Sequence, residues 1–426
     1  MEQLLHHLWQ YSLFPSDELY MTDGQPFEVI DAGLHNTDSG PDFFNAKIKC
    51  QKMLWAGNVE IHQNSSDWYH HRHHTDASYD SVILHVVMNH DAEIYRTNGE
   101  RIAQFVLPVT ERVLKDYAFM ESFHVNMIPC AFRLSDINPL FISDWKNALG
   151  MERLIQKAQR MRQLVDYYGG DWEEALYILL LRSFGTGINA DPFERLARSL
   201  PYRFLLKHID SLLQTEAFLF GQAGFLGESF EYPYYILLQR EYHLLSHKFQ
   251  LKPLPKTIWR FSRLRPSSFP ELRIASLALF LHRMPRLFAS LLNCNQIEQF
   301  RDLFRFELHD FWLDHYQFNH DSLTTHKGLG PQTVESIIIN TFIPALYAYG
   351  DYMGNTELEE RAVDLLMNLS AENNRYVRNW RQAGLSVADA FESQAILQLQ
   401  KEYCDRKRCL QCRIGHQLLA RDGINR

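Results

Sequence analysis

The sequence predicts an α+β protein in two parts. Residues 1–130 read as an α/β core with a mixed sheet flanked by helices, and residues 131–426 as a large all-α domain ending in a cysteine-rich helix. Three observations predict this division. Strand-like runs bounded by turn residues crowd the region before Pro108, including the strongly apolar run at 81–88. Beyond Pro129, apolar residues recur three and four apart, the spacing of amphipathic helices. A chain of 426 residues also exceeds what one hydrophobic core organises.

The elements follow in order. Residues 2–12 read as an amphipathic helix, 25–30 as a strand, and 42–49 and 58–63 as two paired strands. A short helix is expected at 67–72 and a buried strand at 81–88. The strand-rich part closes near 105–108. A helix over 109–123 leads to the break at Ile128-Pro129-Cys130. Helices are then expected at 138–149 and 151–168, where Gly169-Gly170-Asp171 stops one helix and caps the next. They continue at 172–184, 191–200 and 202–214, with Asp191 as a cap and Pro192 at the first helical position. Two prolines at 266 and 270 bend the chain before a helix at 271–282. Helices at 331–349, 357–368, 386–403 and 408–421 complete the reading. No fixed-period repeat is present, which argues against a solenoid.

Composition narrows the function classes. A net charge of −8 excludes a general nucleic-acid coat protein but leaves room for a local basic groove. Basic residues dominate 240–293, and Arg260, Arg263, Arg265 and Arg273, with Trp259, Phe261 and Phe269 interleaved, are the candidates for gripping a DNA or RNA backbone. The alternative is a solvated helix face with ordinary core aromatics. The N-terminus lacks the basic-then-apolar pattern of a signal peptide, and no apolar run reaches membrane-spanning length. Six cysteines in so long a chain make no disulfide framework, so a reducing cytoplasm is the expected compartment and no membrane partner is expected.

Three constellations carry chemistry. In the first, Pro41-Asp42 opens a strand, Glu60 lies within the next, and His62 follows two residues later on the same face. Oxygen ligands from adjacent strands suit Mg or Mn, and Asp42, Glu60 and His62 are the candidate catalytic set. The second is a run of imidazoles at 70–74. His62, His85, His71 and His73 with Glu60 or Asp42 could hold zinc, manganese or iron. The alternative is an exposed polar loop, with His85 a satisfied core histidine. The third is Cys404, Cys409, Cys412 and His416. If 408–421 is one helix, the last three share a face, and three thiolates with an imidazole close a structural zinc site. An iron–sulfur cluster with Cys130 as a distant fourth ligand is the alternative, and small buried core residues another.

The first constellation, together with the order helix, three strands, helix, strand, resembles the PD-(D/E)xK nuclease superfamily. That resemblance implies a restriction-endonuclease-like core and metal-dependent nucleic-acid cleavage. His62 stands where the superfamily has lysine. It either orients or deprotonates the attacking water, or marks a decayed nuclease that only binds. Longer runs cover nearly the whole chain: Asn36 through Phe43, Val59 through His62, and those at 65–68, 84–87, 220–224, 263–275 and 403–415. They resemble an uncharacterised bacterial family, a domain of unknown function. Three functions remain open: a metal-dependent nuclease or nuclease-like nucleic-acid-binding protein; a catalytically silent binding or scaffold protein on the same fold; and a transition-metal hydrolase using the histidine cluster on a small substrate. In the first two, Asp42 and Glu60 should lie on adjacent strands, with carboxylates within about 6 Å, close enough to couple.

Overall fold

The computed structural model describes residues 1–14, 18–122, 128–262, 264–321 and 328–420. The chain forms two compact units, one of residues 1–146, 375–386 and 397–426, the other of 147–374 and 387–396. The division therefore differs from the expected one at residue 130. The chain leaves the N-terminal unit, builds the helical unit, and returns twice. Leu419 and Ala420 sit in one core with Val113, Tyr117 and Met120, a packing between distant segments that local periodicity does not encode.

In the N-terminal unit, α1 (Glu2–Gln10) buries Leu4, Leu5, Leu8 and Trp9. A seven-stranded sheet follows: β1 (Leu19–Tyr20), β2 (Pro26–Asp31), β3 (Leu34–His35), β4 (Phe43–Cys50), β5 (Met53–Asn64), β6 (Val82–Asn89) and β7 (Gln104–Val106). The order is β1-β2-β4-β5-β6-β7, with the short β3 paired to β4. β4 runs antiparallel to β2 and β5, whereas β5, β6 and β7 run parallel. The crossover from β5 to β6 contains α2 (Asp67–His70) and two 3-10 turns, His73–Thr75 and Ala77–Tyr79. β6 reads VILHVVMN and buries residues on both faces, as a strand inside a parallel array must. α3 (Glu111–Ser122) closes this part.

The helical unit has a core of its own, centred on α5 (Trp172–Phe184) and rich in Leu, Phe, Tyr and Trp. Asp171 caps α5 by accepting a hydrogen bond from Glu174 N at 3.0 Å, as its sequence position predicts. Two expectations are corrected. The helix α4 (Pro139–Tyr167) runs unbroken where two were expected; Gly150 does not stop it but lets the Phe391 ring pack against its backbone. The expected helix at 202–214 is two, Tyr202–Leu206 and Leu212–Gln222, the second beginning at the Ser211 cap. No described helix is long and apolar enough to cross a membrane.

Candidate metal centre

Loop and strand chemistry bring Asp42 and Glu60 together. Asn36 clamps the Asp38–Pro41 turn, its side-chain amide donating to the carbonyls of Asp38, Ser39 and Pro41. Gly40, at φ 100°, supplies the left-handed residue the turn needs. Phe43 faces Val59 across the β4–β5 ladder, so Asp42 stands across from Glu60. The backbones lock both carboxylates: Ile61 N donates to Asp42 Oδ2 at 2.8 Å, and Asp42 N donates to Glu60 Oε2 at 3.1 Å.

The β5–β6 crossover delivers the histidines. Trp68 is fully buried and ties its indole N–H to Tyr95 O at 3.2 Å. Asp67 and Asp91 pin the start of the segment through Asn64 N and Ser66 N. Arg72 takes the left-handed conformation, φ 63°, and reverses the chain between His71 and His73. Both rings then converge on His62, with ligand nitrogens of His62, His71 and His73 all within 4.8 Å of one another. Tyr79 stacks on His73 at 3.7 Å between ring centroids.

The atoms meet at a point. His62 Nε2 lies 3.0 Å from His71 Nδ1 and 3.4 Å from Glu60 Oε1, and His73 Nε2 lies 3.2 Å from the same carboxylate oxygen. His62 Nδ1 is 2.8 Å from His85 Nε2. The tautomer that donates there leaves the Nε2 lone pair of His62 facing the cluster, the orientation given to a metal-bound imidazole by its outer partner. His85 thus positions His62 and does not join the cluster. His6, on α1, places its Nε2 3.3 Å from Asp42 Oδ2; nothing in its sequence context marked it. Lys47 and Lys49 are exposed on the other face of β4 from buried Ala46 and Ile48.

Electrostatics agree with this geometry. Burial, then the Asp42 charge, pushes the Glu60 carboxyl up to about 9. Burial and the surrounding imidazoles hold His62 down to about 2, and burial holds His85 down to about 4. Burial also lowers His6, but the hydrogen bond and charge of Asp42 outweigh it and raise the ring above its ordinary value. The residues fit a bound ion. His73 Nε2 is buried with no hydrogen-bond partner, although a carboxylate oxygen is in reach. Ligands around a tetrahedral ion at ~2.1 Å stand ~3.4 Å apart, close to the separations measured here.

The other sequence candidates fare differently. Cys409–Gln411 is a 3-10 turn, Cys412 is extended, and the last helix starts at Arg413, so Cys409, Cys412 and His416 do not share a helix face. His416 turns to His7, Nδ1 to Nε2 at 3.2 Å. No three cysteine sulfurs among the described residues lie within 4.8 Å of one another, wider than the spacing expected of one zinc ion. Of the basic candidates, Arg260 and Arg265 are exposed, and Arg263 lies outside the described residues. Arg273 is interior: it is 4% exposed, donates to Ser268 Oγ and Thr333 Oγ1, and burial lowers its pKa to about 10. Trp259 is buried and Phe261 packs on the same core, so neither forms a stacking platform.

Comparison with curated proteins and with solved structures finds no match. One family model does match, over residues 2–375, and by it the chain belongs to the family described as protein of unknown function, DUF2851.

Proposed function

We propose that the N-terminal unit is a metal-dependent phosphodiesterase acting on nucleic acid. Glu60, His62, His71 and His73 hold the ion, and Asp42 and His6 stand beside it. The observation that carries the reading is the convergence of three imidazole nitrogens and one carboxylate oxygen on a single point. Imidazoles select a transition ion such as zinc or manganese over magnesium. Such an ion would lower the pKa of its bound water and offset charge on the phosphate.

The protein's own groups have distinct parts. Asp42 is anchored by Ile61 N and remains 22% exposed, so solvent and substrate reach it. With His6 it forms a pair able to take a proton from water and return one to a leaving oxygen. His62 occupies the superfamily's lysine position but is buried and fixed to His85, which suits a ligand rather than a free cation.

Two further observations support a phosphodiester substrate. β4 runs against both its neighbours while β5, β6 and β7 run together; Asp42 precedes β4 and Glu60 lies on β5. That is the arrangement expected of a PD-(D/E)xK core. A groove of about 600 Å³ is lined by His6, Tyr11 and His35 and by Arg406, Lys407 and Arg408, a composition suited to a polyanion.

The test is cleavage of bis(p-nitrophenyl) phosphate, single-stranded DNA and RNA with Mn²⁺, Zn²⁺ or Mg²⁺, alongside metal analysis. Glu60→Ala, His62→Ala and His73→Ala should each lose the ion and at least ~100-fold in rate. Asp42→Asn should keep the ion and lose rate. A protein that binds the ion and cleaves none of these substrates is not a phosphodiesterase. One whose His62→Ala and His73→Ala variants bind the ion normally has its centre elsewhere.

A further inference from the structure

A second cluster of soft ligands lies in the same unit, built by segments far apart in sequence. Cys130 precedes the 3-10 segment Ala131–Asp136 and is 8% exposed. Cys404 ends a π-helical stretch, Leu399–Cys404, that continues the helix Ala390–Gln398. π-Helical turns are rare and recur at functional sites. Lys407, at φ 54°, turns the chain, and Cys409 and Cys412 then flank a tight 3-10 turn. All four cysteines line one half-open, apolar space of about 20 Å³, walled also by Met120, Trp380 and Tyr403. None is in a disulfide, and each lies near enough to the other three to feel their charge.

The turn around Cys412 is tightly closed. Burial raises the Cys412 thiol above its ordinary value, against the pull of the backbone N–H groups of Ile414 and Gly415 at the start of the last helix. Gly415 is needed for the turn to close: a Cβ there would stand 2.1 Å from Cys409 O.

We propose that Cys130, Cys404, Cys409 and Cys412 form a four-thiolate metal centre that staples the returning C-terminal segments to the N-terminal unit. Such a ligand set takes zinc or an iron–sulfur cluster. No three of the sulfurs lie within 4.8 Å of one another, against the ~3.8 Å edges of a tetrahedral zinc site with bonds of ~2.3 Å, and this favours the larger cluster. The centre is independent of the histidine site, since no ligand is shared.

The experiment measures iron, acid-labile sulfide and zinc in full-length protein purified without oxygen. It compares the wild type with Cys409→Ser/Cys412→Ser and with His62→Ala/His73→Ala. The expected result is iron and sulfide, with a thiolate-to-iron absorption band, lost at least ~10-fold in the cysteine variant and kept in the histidine variant. Stoichiometric zinc with the same dependence would keep the four ligands and overturn the cluster. If the cysteine variant does not fold, mercurial titration of wild type serves instead: four thiols modified per centre released supports the proposal. Metal-free native protein, with free thiols or with disulfides by mass, overturns it, whatever happens at the histidines.

Discussion

His62 separates two accounts of the same strand pair. If it only replaces a lysine beside an otherwise standard site, His62→Lys should preserve or raise activity. In the geometry here it should do the opposite. The ring is 2% exposed, its Nδ1 is engaged by His85, and its Nε2 faces Glu60 and His71. A lysine would bring a charge into a buried imidazole cluster and remove a ligand, so metal affinity should fall at least ~10-fold. Isothermal titration with Zn²⁺ and Mn²⁺ measures this, and undiminished affinity would remove His62 from the ligand set. At this scale much was legible. Asp42, Glu60, His62, His71 and His73 stood out by residue type and spacing, and they do gather. The division of labour did not. That His85 orients rather than ligates depends on the β5–β6 register, which pairs Glu60 with His85. That His6 joins depends on how α1 lies on β5. Arg273 lies in a basic run yet is interior, because its helix Pro270–Arg283 is buried on nearly every side.

Among the elements, the β5–β6 crossing does most to hold the centre. Both strands are packed on two sides where they meet, and Gly57 lets them approach. A Cβ at position 57 would lie 2.3 Å from Ile83 Cγ2 and 2.9 Å from Ser81 O, the oxygen that accepts a hydrogen bond from Asn58 N. Gly57→Ala should therefore cost about 2 kcal/mol by overpacking, a drop of about 5 °C in melting temperature. Because Glu60 and His62 follow on the same strand, metal occupancy should fall with it. Gly227→Ala, whose Cβ would meet nothing within 4 Å, is the control. Equal melting temperatures for the two variants would mean that the crossing yields freely. Strands and most helices were legible here because period and capping are local. The last helix was not: a strong apolar pattern over 408–421 conceals a 3-10 turn at Cys409–Gln411, so that the helix begins only at Arg413.

For the molecule as a whole, local pattern could announce a sheet-rich part and a helical part but not that the chain returns at 375 and again at 397. Returns of this kind are set by which apolar faces find each other, as Leu419 finds Val113. A large helical core carries its own electrostatic cost. Glu216 is 3% exposed in the helical unit, and burial pushes its carboxyl up to about 7, against the pull of a hydrogen bond from Tyr234. Its ordinary value is 4.5. Below pH 4.5 the group is protonated whether the chain is folded or not, and it costs nothing. Between pH 4.5 and 7 the unfolded chain releases the proton and the folded one keeps it, so stability falls as pH rises. Above pH 7 both forms are ionised and the full penalty remains, about 3 kcal/mol for a shift of this size. Glu216→Gln removes the titration while keeping a side chain that can meet Tyr234. Its stability relative to wild type, from urea unfolding of the full chain, should be near zero at pH 4 and rise to about 3 kcal/mol in favour of the variant at pH 8. A difference that stays flat across this range would mean that Glu216 titrates in the folded protein as it does in the unfolded chain, with a partner strong enough to offset its burial.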